Sequence, residues 1–269
     1  MSFKNIILEK KNRIATITLN RPDKLNSIDK NTHLEIQEAL ADIENDDEMR
    51  VVIITAAGIK AFCTGGDLAY AKSILGDQRM EVAIVDLWHV TCNAVQNLSK
   101  PVIAAVNGMA LAGGLELMEA CDLAIASEDA QLGDQHANYG MVPGGGGTQR
   151  LPRLIGIRKA KELLLTGDWI SAKEAEAIGL INKAVPADKL MEAANELAAK
   201  LAERSMLASA AIKFLVNEGM QNDIETALQL ERWVVQRHTI APDWPEGVNA
   251  FLERRKPDFK GKRIRLTKD

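Results

Sequence analysis

The sequence predicts an α/β fold that ends in an all-helical tail. Two observations lead there. Short β-branched or continuously apolar runs alternate with helical patterns as far as about residue 200. From Met206 to Leu252 the pattern is helical, with no strand candidate. The chain therefore divides into a core, residues 1–200, and a C-terminal helical region, residues 201–269.

Ile14 to Leu19 is β-branched and Thr-rich and reads as a strand. It stops at Asn20-Arg21-Pro22-Asp23, where Pro22 turns the chain out of regular structure. Leu34, Ile36, Ala39, Leu40 and Ile43 give Thr32 to Ile43 a helical period. Val51 to Thr55 and Pro101 to Val106 are continuously apolar, as strands covered on both faces are. Helices are expected over Leu68 to Leu75, Met80 to Leu98 and Gly113 to Ala120. Leu123 to Ala126, Gln131 to Gly133 and Ile181 to Val185 read as further strands. Helical patterns at Ser171 to Ile178 and Lys189 to Glu203 flank the last of these.

Composition narrows the function. A 46% hydrophobic share and 26% charged residues describe a globular chain that can bury a core without disulfides. A formal charge of −4 with only 4% aromatic residues argues against nucleic acid as the main partner. Cys63, Cys92 and Cys121 are odd in number and lack CxxC spacing, which fits reduced thiols. No run is long and apolar enough to span a bilayer, and Met1 to Lys11 lacks the character of a targeting peptide, so a cytoplasmic protein is expected. No His/Cys/Asp/Glu cluster has metal-ligand spacing, so no metal is expected.

Three glycine-containing turns, each expected to follow a strand, lead into helices: Cys63-Thr64-Gly65-Gly66-Asp67, Ala112-Gly113-Gly114-Leu115-Glu116 and Pro143-Gly144-Gly145-Gly146-Gly147-Thr148. A helix N-terminus presents unpaired N–H groups and the positive end of its dipole. Two such turns facing one another would form a two-donor oxyanion hole. A phosphate-binding P-loop does not fit, because no lysine precedes Thr148.

The conjunction of motifs resembles the enoyl-CoA hydratase/isomerase (crotonase) superfamily along essentially the whole chain. The matching stretches begin with Asn20-Arg21-Pro22, Lys24-Leu25-Asn26 and Ala61 to Asp67, and continue with Lys100 to Gly108 and Ala112 to Glu116. Cys121-Asp122, Pro143 to Arg150, Gly179-Leu180-Ile181 and Phe251 to Lys256 follow in order. The resemblance implies a superhelix of stacked ββα turns, with the tail assembling homotrimers or hexamers built as dimers of trimers. It implies an acyl-CoA thioester as substrate, with coenzyme A entering as part of it and no permanently bound cofactor.

It also implies site residues. Gly66 and Gly113 match the donors of the oxyanion hole, and Glu116 matches the glutamate that orients water and exchanges a proton. Where hydratases carry a second glutamate, this chain has His136. A histidine there is either an acid or base near neutral pH or a neutral wall of the acyl pocket, and both readings stand. Asp134 and Tyr139 are lesser candidates for the second polar group. Lys24, Leu25, Asp67, Leu68 and Gly114 are expected to contact CoA or substrate; Phe251 and Arg254 match positions that reach a neighbouring subunit's CoA. A lysine common just after the Gly-x-Asp motif is Ala69 here, which leaves Lys24, Lys72 or Arg254 to meet the phosphates. Asp67 also suits a helix cap. His89, Tyr139 and Met141, with Trp88 and Trp169, are candidates for the acyl pocket; Glu119 is assigned to solvent or structure.

The expected activity is hydration of a 2-enoyl-CoA. Isomerisation, hydrolysis, decarboxylation or C–C cleavage would use the same hole, and a non-catalytic RNA-binding or scaffold protein is the rival of another class.

Overall fold

The computed structural model describes residues 3–261. Six strands form one sheet in the order β1 (Ile6–Lys11), β2 (Ile14–Leu19), β3 (Val51–Ala56), β5 (Val102–Val106), β7 (Leu123–Ser127) and β10 (Lys183–Val185). A second sheet holds β4 (Ala61–Cys63), β6 (Met109–Leu111), β8 (Gln131–Gly133) and β9 (Trp169–Ser171). Neighbours are parallel except β1 with β2 and β8 with β9.

The repeating unit is legible in this order. Each of β3, β5 and β7 is followed by a short strand of the second sheet and then by helical structure. Helices α2 (Leu68–Ile74) and α3 (Gln78–Asn97) follow β4, and α4 (Gly113–Glu119) follows β6. A 3-10 turn, His136–Tyr139, and α5 (Gly147–Ile155) follow β8. Helix α1 (Lys30–Asn45) connects β2 to β3; α6 (Ile157–Thr166), α7 (Ala172–Ala177) and α8 (Leu190–Ala202) complete the core.

The larger sheet is covered on both faces, which explains its uninterrupted apolar runs. Val51, Ile53, Ile103, Ala105 and Ile125 point to one face, where Ala194, Ala198 and Ala202 of α8 let that helix approach closely. Val52, Ile54, Val102, Ala104 and Ala124 alternate with them and join the main core between the sheets and the remaining helices.

Strands β1, β4, β6 and β9 and helix α6 are additions to the sequence reading, whereas α5 is the helix expected after the third glycine turn. Three of those strands have three residues each, too few for a period to show. β1 is an edge strand whose exposed Glu9, Lys10 and Lys11 mask it. The third glycine turn corrects an expectation: it follows the 3-10 turn at 136–139 rather than a strand.

The tail comprises α9 (Met206–Gly219), α10 (Ile224–His238) and α11 (Asp243–Leu252); its last residues, 262–269, lie outside the described residues. Lys213 anchors α9 to the core through Asp122 at 2.7 Å. Ser205 caps α9 and donates to buried Asp243 at 2.5 Å, which also accepts from the Gly261 N–H at 2.8 Å. Helix α10 buries none of its residues, and Phe214, Leu228 and Trp233 stand exposed on α9 and α10.

Candidate active site

Two of the glycine turns converge. The first is held by Ile28, whose N–H donates to Gly65 O and whose carbonyl accepts from Asp67 N. The Asp67 carboxylate caps α2 through Ala69 N and Tyr70 N, and its other oxygen takes Arg21 Nη2 at 2.7 Å. Arg21 also donates to Ser27 O, while Asn26 reaches Ala57 O and Ala61 O. Asp67, expected among the substrate contacts and as a helix cap, caps α2 and pairs with Arg21.

The second turn abuts the first. A Cβ on Gly65 would lie 3.0 Å from the Gly113 nitrogen, and one on Gly114 would lie 2.6 Å from the Cys63 carbonyl carbon. Only glycine permits this approach. The peptide is aimed by Ala112, which holds φ 49° and ψ −123°, a conformation costly for a residue with a Cβ. Gly113 N opens α4, and Gly66 N lies on the side of its strand turned away from Ile28; neither donates to an acceptor among the described residues. The α-carbon of Gly66 faces open space, whereas that of Gly113 is covered by the buried Trp88 ring, 2.6 Å from an added Cβ at Cζ2.

Glu116 sits on α4 one turn beyond Gly113 and is 1% exposed. Its Oε1 accepts from Gly145 N at 2.7 Å and Gly147 N at 2.8 Å. The third glycine turn is therefore a cradle for this carboxylate. Arg150 braces the cradle: it donates to Gly145 O at 2.5 Å, Gln96 at 2.7 Å and Asn93 at 2.8 Å. Burial pushes the Glu116 carboxyl above its ordinary range, against the pull of the Gly147 and Gly145 N–H groups and of His136.

His136 opens the 3-10 turn and lies close enough to Glu116 for each to act on the other's charge. Its Nδ1 is 2.9 Å from Oδ1 of fully buried Asp134. Burial alone would lower its affinity for a proton; the Asp134 hydrogen bond and the charges of Asp134 and Glu116 outweigh that and raise it.

The other expected residues fall in two places. Lys24, Leu68, Lys72, Tyr139 and Met141 are exposed, and Leu25 is half-buried, all on the turns and short helices around the site. His89 is exposed on α3 and makes no hydrogen bond or ion pair among the described residues, while neighbouring Trp88 is buried. Trp169 pairs across from Gly133 on β9. Phe251 and Arg254 are exposed at the end of α11 in the tail.

Glu119, assigned to solvent or structure, is buried, so the solvent alternative falls. It is 6% exposed, and neither carboxylate oxygen has a partner among the described residues. Burial, then Glu116 and Asp134, lifts its carboxyl well above the ordinary range. Sequence reading also passed over Arg150 as a brace and Ala112 as a strained peptide. Arg150 was visible as the last residue of the glycine-rich motif; Ala112 carried no signal.

This geometry belongs to a known class. A family model described as enoyl-CoA hydratase/isomerase matches residues 9–262, and the chain belongs to that family. Among its relatives, the crotonyl-CoA hydratase of Syntrophomonas wolfei is 40% identical over 262 residues, covering 97% of this chain and 100% of the relative. The short-chain-enoyl-CoA hydratase of Clostridium acetobutylicum is 41% identical, covering 95% and 97%. The crystal structure of an enoyl-CoA hydratase from Bacillus anthracis superposes with a TM-score of 0.92 at 41% identity, covering 96% of this chain and all of the other.

Proposed function

We propose that Gly66 N and Gly113 N receive the thioester oxygen of an enoyl-CoA and that Glu116 manages the water. The chain is an enoyl-CoA hydratase, adding water across the α,β double bond of a 2-enoyl-CoA. The observation that carries the reading of the site is the pairing of two unengaged N–H groups, Gly66 N on the first turn and Gly113 N at the start of α4, with the buried carboxylate that α4 carries. As water attacks Cβ, charge grows on the thioester oxygen, and preorganised donors stabilise it without reorganising. The Gly145 and Gly147 N–H groups fix one Glu116 oxygen and leave Oε2 to face the reacting water.

Lys24, Leu25 and Leu68 border the CoA, and Gly114 supports it only by letting the two turns meet. Self-association, as a trimer or a hexamer, covers the apolar surface of α9 and α10 and brings Phe251 and Arg254 of one copy toward the CoA of the next. Light scattering tests this, with three or six copies expected. The free thiols Cys63 and Cys92, both buried, support a reducing compartment, for which we assign the cytoplasm. A 2-enoyl-CoA substrate supports a role in fatty acyl-CoA metabolism.

The test is crotonyl-CoA hydration followed by mass spectrometry. A gain of one water with CoA retained is expected, and Glu116→Gln should lower kcat by about 10²–10⁴. Free CoA, a shifted double bond, or equal rates for both proteins would overturn this reading.

A further inference from the structure

Hydration needs a second group. Water reaches Cβ beside Glu116, but the enolate must also receive a proton at Cα. The described residues offer one side chain built for that task. Asp134 is fully buried at the end of β8, and its Oδ1 meets both the His136 backbone N–H, at 3.2 Å, and the ring Nδ1, at 2.9 Å. Its Oδ2 is buried with no partner among the described residues, so the carboxylate serves the histidine alone.

The turn that carries the ring is fixed from several sides. Gln135 takes a left-handed conformation at φ 65°, and its side chain donates to Gly167 O. Asn138 donates to the same carbonyl, and Met141 N closes the turn on His136 O. A neutral wall of a pocket needs neither a strained residue nor a dedicated buried acid. The Nδ1–H donates to the Asp134 carboxylate, and in the imidazolium the second proton sits on Nε2, which has no partner among the described residues.

We propose that His136 is the catalytic acid that protonates Cα and that Asp134 is its positioning residue. This rests on the hydratase reading and deepens it. The oxygen of water bonds to Cβ, the π pair moves onto the thioester oxygen, and Glu116 takes the proton that water releases. The enolate pair then returns and forms the Cα–H bond with the proton from His136 Nε2. Return of the proton from Glu116 to His136 restores both groups, and one water has been added. The charged groups acting on the ring are Asp134, just after β8, and Glu116, from α4; Asp168, in the segment 167–169 that also packs at the turn, is exposed.

Two assays on the full-length protein test this: crotonyl-CoA hydration, and deuterium entry at Cα of butanoyl-CoA in D2O. The second needs enolate formation but no attacking water. For His136→Gln both should fall by about 10²–10⁴ with KM little changed. Glu116→Gln should lose hydration and keep exchange. Asp134→Asn should shift the alkaline limb of the kcat/KM profile to lower pH, because the imidazolium loses its counter-charge; a mere packing defect would lower the rate at every pH. Acetoacetyl-CoA binding reports an intact hole in each variant, and His136→Gln, whose ring is only partly buried, keeps the test available should Asp134→Asn not fold.

Retention of both activities in His136→Gln within about threefold makes His136 a pocket wall and overturns the proposal. A wild type that exchanges deuterium in a His136-dependent way without hydrating crotonyl-CoA supports the dyad and defeats the hydratase reading. A wild type that does neither defeats both.

Discussion

Gly114→Ala probes the contact on which the oxyanion hole depends. An added Cβ would stand 2.6 Å from the Cys63 carbonyl carbon and 2.8 Å from the Cys63 Cβ, with the carbonyl oxygen closer still. Ordinary carbon contacts lie at about 3.5–4.0 Å, so α4 must retreat by about 1 Å from the end of β4. The obstacle is backbone inside a sheet and cannot swing aside. Overpacking of this kind costs about 1–3 kcal/mol, or a fall of about 2–12 °C in Tm at this chain length. The displacement also moves Gly113 N and Glu116 away from the Gly66 turn, and a misplacement of about 1 Å costs about 10² in rate. Steady-state hydration of crotonyl-CoA and a melting curve on the same preparation read both effects. Gly144→Ala is the control: its Cβ would meet only Val85 Cγ1, at 3.6 Å, and near wild-type behaviour is expected. A Gly114→Ala protein with wild-type kcat would refute the argument that the two turns must touch.

The remaining predictions concern groups behind the site. His33 is buried edge-on to Trp88 with ring centroids 4.6 Å apart, and burial lowers its pKa to about 4. The unfolded chain takes up that proton from about pH 6.5 downward, so stability present above 6.5 is lost as pH falls toward 4, by about 3 kcal/mol; His33→Phe should flatten that loss in melting curves. Glu119 has the opposite slope. Its raised folded pKa gives stability that is complete below the unfolded value of about 4.5 and lost as pH rises, so Glu119→Leu should raise Tm more at pH 8 than at pH 5. Arg150→Lys removes the planar fork that joins Gly145 O to Gln96 and Asn93. It should lower kcat about tenfold with a smaller effect on KM, because the Glu116 cradle loosens while the CoA contacts remain.

Much of the architecture was legible because the larger sheet is buried on both faces: strands such as Val51–Ala56 and Val102–Val106 are apolar without interruption. The helical tail was legible for the complementary reason, a sustained helical period. The second sheet was not, since strands of three residues carry too little pattern. Within the site, the glycines mark where backbones approach, and Glu116 follows from its place in the first turn of α4. Sequence could not show that Gly145 and Gly147 serve Glu116, because that pairing spans 29 and 31 residues. Nor could it show the Asp134–His136 pair, because a spacing of two residues brings side chains together only when the backbone turns as it does at Gln135. Glu119 stayed open between solvent and structure for the same reason: the burial of a charged residue on a short helix is decided by packing that the sequence does not show.

The position of the acyl oxygen defines the oxyanion hole most directly. A crystal structure with butanoyl-CoA bound should place that oxygen about 2.7–3.1 Å from both Gly66 N and Gly113 N, with Cα and Cβ between Glu116 and His136. An oxygen turned toward solvent, or bonded to neither nitrogen, would contradict it.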